Sequence, residues 1–306
     1  MANGDLILTV LAPRLSADIQ AQVNALIGQF GLQEISTQRL ADRQQGEGID
    51  CVEQRLVGGV DVEAVRNAAL VLSETLGVDI VIQADTRNHV KPRLVCFDMD
   101  STLIKAEVID ELARRHGVGE EVAEVTERAM RGELDFKASF RERMSKLAGL
   151  NESVLAEIAE ELPLMEGVER LMANLKRLGY RTAILSGGFT YFAHHLQEKL
   201  GFDEIHANEL IIEEGKVTGA VSEPIVDAER KAALLETIAL REGFSLDQTI
   251  AVGDGANDLK MLAKAGLGIA FRAKPLVRAQ ARQAISSVGL DGVLYLLGYH
   301  QQDLTP

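Results

Sequence analysis

The sequence has few cysteines, a shortage of positive charge and no long apolar run, and each of these absences argues against a class of protein. Two cysteines in 306 residues do not indicate a disulfide framework. The formal net charge of −14 disfavours nucleic acid and anionic membranes as partners. The apolar stretch near the N-terminus is too short for a signal or a membrane-spanning helix. We therefore expect a cytoplasmic protein that binds neither nucleic acid nor membrane.

The overall composition is that of an ordinary globular protein. Within it, residues 1–85 have a pattern that differs from the rest of the chain. Hydrophobic residues make up 46% and charged residues 25%, and the length allows two or more domains. Strand-like and helix-like segments follow one another in the order βαββαβ, which is that of a ferredoxin-like α+β sandwich. The predicted strands are 5–11, 32–40, 49–57 and 78–84, and the predicted helices are 16–30 and 61–77.

The rest of the chain, residues 94–306, alternates between apolar strands and helices after a polar linker at 86–93. This alternation predicts an α/β fold with a doubly wound parallel sheet, whose functional site lies at the carboxyl ends of the strands. A charged helical insertion at about 105–162 and a hairpin at 209–221 interrupt the pattern. The predicted domains are therefore 1–85 and 94–306. The predicted strands of the second are 94–100, 181–187, 249–255 and 267–271.

Two aspartates, Asp98 and Asp100, follow the first apolar run of this second part. Carboxylates at a buried strand end cost stability unless something pairs with them, so they form either a solvated turn or a metal-dependent catalytic site. The Asp98 carboxylate can attack phosphorus directly, because an aspartyl phosphate divides one hard hydrolysis into two easier steps. Asp100 points to the same side of an extended segment, and it can give a proton to the leaving alkoxide and take one from water.

Repulsion between Asp98 and a phosphate dianion predicts a metal ion at the same place. Mg²⁺ suits this role because it prefers oxygen ligands and bridges carboxylates to phosphate oxygens. Asp98 and Asp254, the latter in the sequence GDGAND, are the candidate side-chain ligands, and the Asp100 carbonyl is a third. Asp258 lies one helical turn after Asp254 and would orient a water ligand of the ion.

A phosphoryl group also needs donors for its oxygens, and candidates lie near the other strand ends. Lys231 and the hydroxyl of Thr102 or Ser186 supply a positive charge and hydrogen bonds. Gly187 and Gly188 let the backbone approach closely and offer free N–H groups. Each of these residues alone is typical of a turn or a surface, so their interpretation as a site depends on the combination.

Together these stretches resemble the four motifs of the haloacid dehalogenase (HAD) superfamily of phosphotransferases. The motifs are DMDST, SGG, Lys231 and GDGAND, in the superfamily's order and spacing, and the resemblance covers residues 94 to about 290. Wider stretches such as FDMDSTLIKAEVIDELA and AVGDGANDLKML are similar to its phosphoserine phosphatase family. The resemblance implies a HAD-like Rossmannoid core with a small helical cap. It also implies Mg²⁺-dependent hydrolysis of O-phospho-L-serine through a phosphoaspartate, the last step of serine biosynthesis.

The same resemblance implies roles for residues of the cap and its surroundings. Glu107 would bind the substrate ammonium, and Arg143 would pair bidentately with the substrate carboxylate. Met130 and Phe136 would line the closed pocket, and Asn257 would touch the phosphate or the motif lysine. Because the cap is rich in charged residues, a solvated helix face is the alternative for Glu107 and Arg143.

Several bacterial members of the family carry an N-terminal ACT-like domain, which is consistent with the βαββαβ pattern of residues 1–85. We expect this domain to form a homodimer or to bind serine. Two other functions stay open. One is a HAD phosphatase for another small ester, such as phosphohomoserine or a sugar phosphate, and the other is a non-catalytic amino-acid sensor. The complete set of catalytic motifs argues against the sensor.

Overall fold

The computed structural model describes residues 5–46, 48–87 and 89–306. Its N-terminal unit consists of β1 (Leu6–Ala12), α1 (Ala17–Gln29), β2 (Gln33–Ala41), β3 (Asp50–Val57), α2 (Val62–Leu76) and β4 (Asp79–Ala84). The four strands form an antiparallel sheet with the order β2-β3-β1-β4. This is the ferredoxin-like arrangement that the sequence predicted.

Both helices of the N-terminal unit begin at side chains that cap them. Ser16 accepts a hydrogen bond from Ile19 N, and Asp61 accepts one from Glu63 N. α2 ends at Gly77, whose φ of 66° suits a residue without a Cβ. These local signals explain why the sequence predicted both helices to within one residue at each end.

Alternate residues of the N-terminal sheet face two different cores. Leu8 and Val10 belong to a cluster with the apolar faces of α1 and α2. Leu11 and Val81, on the opposite face, belong to the largest apolar cluster of the molecule, together with Val293 near the end of the chain. Since successive side chains of a strand point to opposite faces, the sheet is covered by its own helices on one side and by C-terminal residues on the other. The sequence did not predict this shared core.

The C-terminal unit contains a six-stranded parallel sheet. Its strands are β5 (Leu94–Phe97), β6 (Arg181–Phe189), β7 (Glu204–Asn208), β10 (Thr249–Gly253), β11 (Leu267–Phe271) and β12 (Gln283–Ile285), and a hairpin of β8 (Leu210–Glu213) and β9 (Lys216–Val221) follows β7. The order is β12-β11-β10-β5-β6-β7, and neighbouring strands are parallel. The predicted doubly wound α/β fold is therefore confirmed.

Apart from shifts of one or two residues at strand ends, the strands differ from the sequence prediction in three places. β5 ends at Phe97, so Asp98 already belongs to the loop that leaves the sheet. β7 and β12 were not predicted, because β7 is mostly half-buried and β12 has only three residues. Neither has the apolar run or the long alternation that indicates a strand in a sequence. Both lie at the edges of the sheet.

The helices of the C-terminal unit divide into a cap and a set that flanks the sheet. The cap consists of α3 (Val108–His116), α4 (Gly119–Met130), α5 (Phe136–Lys146) and α6 (Ser153–Glu161). The other helices are α7 (Val168–Arg177), α8 (Thr190–Leu200), α9 (Ala228–Arg241), α10 (Leu259–Lys264), α11 (Pro275–Gln280) and α12 (Gly292–Leu296). Across the described ranges, no helix combines the length and the apolar character needed to cross a membrane.

The two segments that connect the cap to the sheet pair with each other. Lys105 N donates to Pro163 O at 2.8 Å, and Met165 N donates to Leu103 O at 2.9 Å. The Lys105 ammonium also pairs with the Glu166 carboxylate. The cap is therefore attached through a short two-stranded connection rather than through two independent loops.

Candidate active site

Three carboxylates converge at the carboxyl ends of β5 and β10. The two strands are parallel neighbours with Val252 opposite Phe97, so the residues that follow them lie side by side. Asp98, Asp254 and Asp258 each present one carboxylate oxygen, and these oxygens lie within 4.8 Å of one another. The sheet topology thus brings together Asp98 and Asp254, which were predicted to bind the metal, and Asp258, which was predicted to orient a water ligand of the metal.

A buried lysine crosses this carboxylate cluster. Lys231, in the first turn of α9, is fully buried, and its Nζ donates to Asp98 Oδ1 at 2.6 Å and to Asp258 Oδ1 at 2.8 Å. Burial by itself lowers the pKa of a lysine, but the two carboxylates outweigh it and raise the pKa of Lys231 above its ordinary value. The lysine is therefore charged, and it fixes the orientation of the proposed nucleophile Asp98.

Asp258 organises the loop that follows β10. Its fully buried carboxylate accepts hydrogen bonds from Asp254 N at 3.1 Å and from Gly255 N at 3.0 Å. Gly253 is required beside it, because a Cβ at that position would collide with the Asp258 side chain. The geometry gives Asp258 a structural role, and its predicted action on a water ligand stays a prediction.

The cluster carries more negative than positive charge. Burial raises the pKa of Asp98 well above its ordinary value, Asp258 and Asp254 raise it further, and Lys231 opposes them. Burial and then the charge of Asp258 raise the pKa of Asp254 to about 6. The three carboxylates offer hard oxygen ligands and carry more charge than one lysine can neutralise, so the cluster suits a divalent cation of the Mg²⁺ type.

Two buried hydroxyl groups border the cluster. Thr102 Oγ1 donates to Asp254 Oδ1 at 3.0 Å, so in this structure it supports a carboxylate. Ser186 Oγ accepts a hydrogen bond from Gly188 N at 2.9 Å, which leaves its own hydrogen available for a substrate oxygen. Both residues were predicted to hold phosphate, and Ser186 has the freer hydroxyl for that purpose.

Asp100 lies beside the cluster with one carboxylate oxygen unpaired. Its Oδ2 accepts from Val108 N at 3.3 Å, whereas the buried Oδ1 has no hydrogen-bond partner among the described residues. Burial, followed by the charges of Glu107 and Asp98, raises the pKa of Asp100 well above its ordinary value. A raised pKa favours the protonated carboxyl, which is the form that a proton donor needs.

Glu107 and Arg143 bring opposite charges from the cap. Glu107 directly precedes α3, and its Oε1 accepts from Ser101 Oγ at 2.6 Å. Arg143 is on α5, and its Nε is buried without a hydrogen-bond partner in the described part of the chain. Burial lowers the pKa of Arg143, while the charges of Asp110 and Glu107 oppose this effect. A guanidinium with an unused buried donor suits a ligand that carries a carboxylate.

Two residues that support this charged pair were missed in the sequence. Ser101 has a φ of 58°, in the left-handed region that residues other than glycine rarely adopt, and its hydroxyl holds Glu107. Asp110, in the first turn of α3, contributes a negative charge near Arg143. The available signals were the position of Ser101 inside the DMDST motif and the spacing of three residues from Glu107 to Asp110.

Of the other residues predicted for the site, three lie close together beside it and one lies on the surface of the cap. A Cβ on Gly187 would lie 3.5 Å from Phe136 Cζ and 4.0 Å from Asn257 Nδ2, so these three residues meet beside the site. Phe136 also stacks on Phe140 at 6.2 Å between ring centroids. Met130, at the end of α4, is 72% exposed, so its predicted contact with the pocket stays a prediction.

Comparison with known proteins gives a consistent assignment. Residues 92–266 match the family described as haloacid dehalogenase-like hydrolase. Phosphoserine phosphatase of Streptomyces coelicolor is 45% identical over 301 residues, which cover 98% of this chain and 72% of that protein.

Solved structures agree with this match over nearly the whole length of the chain. A HAD family hydrolase from Salmonella enterica serovar Typhi has a TM-score of 0.84 at 29% identity and covers 95% of this chain and 98% of its own. A probable phosphoserine phosphatase from Vibrio cholerae has a TM-score of 0.77 at 37% identity and covers 98% of this chain and 89% of its own. The motifs, the fold and these similarities together establish that the chain belongs to the haloacid dehalogenase-like hydrolases and, within them, to the phosphoserine phosphatase family.

Proposed function

We propose that this enzyme hydrolyses O-phospho-L-serine to L-serine and phosphate with the help of Mg²⁺, as the last step of serine biosynthesis. One observation carries the proposal: the buried pair of Lys231 and Asp98 lies at the strand ends, and the cap provides Arg143, whose buried Nε has no partner among the described residues. The first feature suits phosphoryl transfer through an aspartate, and the second suits a substrate with a carboxylate. The relatives named phosphoserine phosphatase support the same substrate.

In the first half of the proposed reaction, Asp98 is the nucleophile. Its carboxylate oxygen forms a bond to phosphorus while the bond from phosphorus to the serine oxygen breaks. Asp100 gives its proton to that leaving oxygen, so the products are free serine, a phosphorylated Asp98 and an ionised Asp100. Lys231 orients the Asp98 carboxylate and opposes the rise of its pKa, and a bound cation would favour the ionised form further.

In the second half, water replaces serine. The Asp100 carboxylate takes a proton from the attacking water as a new bond forms to phosphorus, and the bond from phosphorus to Asp98 breaks. Both carboxyl groups return to their starting states, and inorganic phosphate leaves. Mg²⁺ held by Asp98 and Asp254, with the Asp100 carbonyl, would neutralise charge on the phosphoryl oxygens during both halves. Ser186, the backbone around Gly187, and Asn257 would donate to those oxygens.

The cap provides the proposed recognition of the serine part. Arg143 would form two parallel hydrogen bonds with the substrate carboxylate, and Glu107, held by Ser101, would accept from the ammonium. Phe136 would close the pocket from the side of Gly187. Arg143 and Glu107 together would therefore allow the enzyme to prefer a phosphoamino acid, which has a carboxylate and an ammonium, over a simple phosphate ester, which has neither.

A panel of phosphate esters tests this function directly. Purified enzyme with Mg²⁺ should have a much higher kcat/KM for O-phospho-L-serine than for phosphohomoserine, a sugar phosphate or p-nitrophenyl phosphate. A preference for phosphohomoserine or for the sugar phosphate would assign the enzyme to another substrate of the same chemistry. Absence of phosphatase activity on the whole panel would favour the non-catalytic sensor.

We further propose that residues 1–85 form a domain that makes the enzyme a homodimer, with 86–93 as its linker to 94–306. The exposed edge strand β2 supports this, because the row of N–H and C=O groups at a sheet edge can pair with a second copy. Light scattering should give twice the chain mass, and Ile35→Lys, at a 54% exposed position of β2, should reduce it to the monomer. A monomeric wild-type enzyme would exclude the dimer.

A further inference from the structure

A polar cleft separates the N-terminal unit from the edge of the C-terminal sheet. It has a volume of about 470 Å³, with α2 and β4 on one side and α11 and β12 on the other. A second cavity of about 240 Å³ shares Arg66, Arg282 and Gln283 with the first. The larger volume is within the range of small-molecule sites. The lining of neither cavity includes a residue of the carboxylate cluster, so the cleft is a separate feature.

The two walls of the cleft are held together by a buried carboxylate. Asp79, at the start of β4, accepts hydrogen bonds from Ser286 N at 2.8 Å, from Ser287 N at 2.9 Å and from Ser287 Oγ at 2.6 Å. Asp79 belongs to the N-terminal unit and both serines follow β12. The walls therefore have a fixed separation, which is the condition for a site that exists before its ligand arrives.

One amide in the cleft is buried without the partner that it needs. Gln283 on β12 is 5% exposed, and its Oε1 has no hydrogen-bond partner among the described residues. By contrast, Gln83, which lines the smaller cavity, donates from Nε2 to Leu296 O at 2.9 Å. An unpaired buried amide destabilises a protein, so each such group needs an explanation. A ligand with a hydrogen-bond donor would provide one for Gln283.

The arginines of the cleft are only partly neutralised. Arg66 pairs with Glu63 at 3.0 Å, and Arg278 Nη2 pairs with Glu74 at 3.0 Å. Arg278 Nε, however, is buried without a partner among the described residues. Arg282 forms no ion pair with any carboxylate of the described chain. Glu63, Glu74 and Asp79 also line the cleft and balance the three arginines in number. What remains for a ligand is the exposed guanidinium of Arg282 and the buried Nε of Arg278.

We propose that this cleft binds a small anion that also carries a hydrogen-bond donor. The guanidinium groups of Arg278 and Arg282 would hold the anionic group, and Gln283 Oε1 would accept from the donor. A free amino acid, with a carboxylate and an ammonium, and monohydrogen phosphate, with an O–H group, both have this chemistry. The site adds a second ligand to the molecule without involving the catalytic residues.

Calorimetric titration of the full chain with two probes, L-serine and inorganic phosphate, tests the site. At least one probe should bind, and Arg282→Gln and Gln283→Leu should each weaken that binding at least tenfold. Arg143→Ala, which alters the active site, should leave binding in the cleft unchanged. Both probes are also products of the proposed reaction and can occupy the active site, so binding in the cleft is the part that Arg143→Ala retains and Arg282→Gln weakens. The probe that shows this part identifies the source of the anion. If neither probe binds, or if all binding is retained in Arg282→Gln, the proposal is overturned.

Thermal unfolding separates ligand binding from a merely structural role. Gln283→Leu removes a buried amide oxygen that has no partner among the described residues, so it should raise the Tm of the protein without probe while reducing the increase in Tm that the probe causes. Gln83→Leu is the matched control, since it removes a paired amide at the same interface and should lower Tm. A fall in Tm for Gln283→Leu with an undiminished response to the probe would contradict a ligand role for Gln283.

Discussion

The core and the cap hold their charged residues in different ways. At the strand ends Lys231 is fully buried and pairs with Asp98 at 2.6 Å and Asp258 at 2.8 Å. In the cap, Arg143 has a buried Nε without a partner among the described residues, and Glu107 is held by the Ser101 hydroxyl. The core is organised before a substrate arrives, whereas the cap keeps a donor that the substrate would complete. Changes in the core should therefore affect every substrate, and changes in the cap only phosphoserine.

The strongest way to separate the two regions is Asp98→Asn. Because an amide is a poor nucleophile, kcat should fall roughly 10⁴-fold for phosphoserine and for p-nitrophenyl phosphate alike. Steady-state assays on both esters, together with trapping of a radiolabelled phosphoenzyme, measure the effect. Normal phosphoenzyme formation in the variant would mean that another residue is the nucleophile.

Lys231→Met tests whether the core depends on its buried cation. Removing the lysine leaves Asp98 and Asp258 buried without a positive charge beside them, so the free energy of unfolding should fall by about 3–5 kcal/mol in metal-free buffer. Urea unfolding measures this change. The matched control is Lys260→Met, because Lys260 pairs with Glu229 at an exposed site and its loss should cost no more than about 1 kcal/mol. Similar losses in both variants would contradict the proposed contrast.

Arg143→Ala examines the cap. Loss of a bidentate partner for the carboxylate should lower kcat/KM for phosphoserine roughly 10²–10³-fold, and the value for p-nitrophenyl phosphate much less. Arg141→Ala is the control, since Arg141 pairs with Glu223 on the surface. Comparable losses on the two esters would remove Arg143 from substrate recognition.

The pH dependence of metal binding probes the excess charge of the core. Burial and the charge of Asp258 raise the pKa of Asp254 to about 6, so the carboxyl is increasingly protonated below that pH. A metal ion must displace this proton, so protonation of Asp254 should raise the Kd for Mg²⁺ about tenfold between pH 7 and pH 5 and should change it little above pH 7. Titration calorimetry at several pH values measures this change. A constant Kd from pH 7 to pH 5 would exclude Asp254 as a ligand that titrates in this range.

The smallest expected effect concerns the hydroxyl that holds Glu107. Ser101→Ala should raise KM for phosphoserine about tenfold, because a hydrogen bond to a charged group contributes about 1.5 kcal/mol, and should leave kinetics with p-nitrophenyl phosphate unchanged. Ser101→Gly also lacks the hydroxyl but accepts a φ of 58° without strain, so its Tm should exceed that of the alanine variant. An unchanged KM in both variants would show that Glu107 needs no support.

Much of the site was predictable because a parallel sheet brings its strand ends together. Asp98, Ser186 and Asp254 all follow apolar runs, so their proximity could be inferred from the order of strands alone. Lys231 was identified through its resemblance to a motif, and only the structure reveals that it bonds to Asp98 and Asp258. Contacts of this kind depend on the relative positions of helices and strands, which a pattern in the sequence does not contain.

Other features were not predictable, for physical reasons. The edge strands β7 and β12 have weak or short apolar patterns, because an edge strand is less buried than a central one. Leu11 and Val81 look like ordinary core residues in the sequence, and nothing indicates that their partners are near residue 293. The left-handed φ of Ser101 and the unpaired amide of Gln283 arise from tertiary structure.

The position of the N-terminal sheet restricts how this enzyme can be shortened. Leu11 and Val81 share an apolar cluster with Val293 and Leu294, and Ser287 Oγ bonds to Asp79 and to Leu11 O. A fragment beginning at residue 94 would expose the side chains of Val293 and Leu294 to water. It would also leave the Ser287 hydroxyl without its acceptors on Asp79 and Leu11. We expect such a truncated form of this chain to aggregate unless these aliphatic side chains are replaced by polar ones.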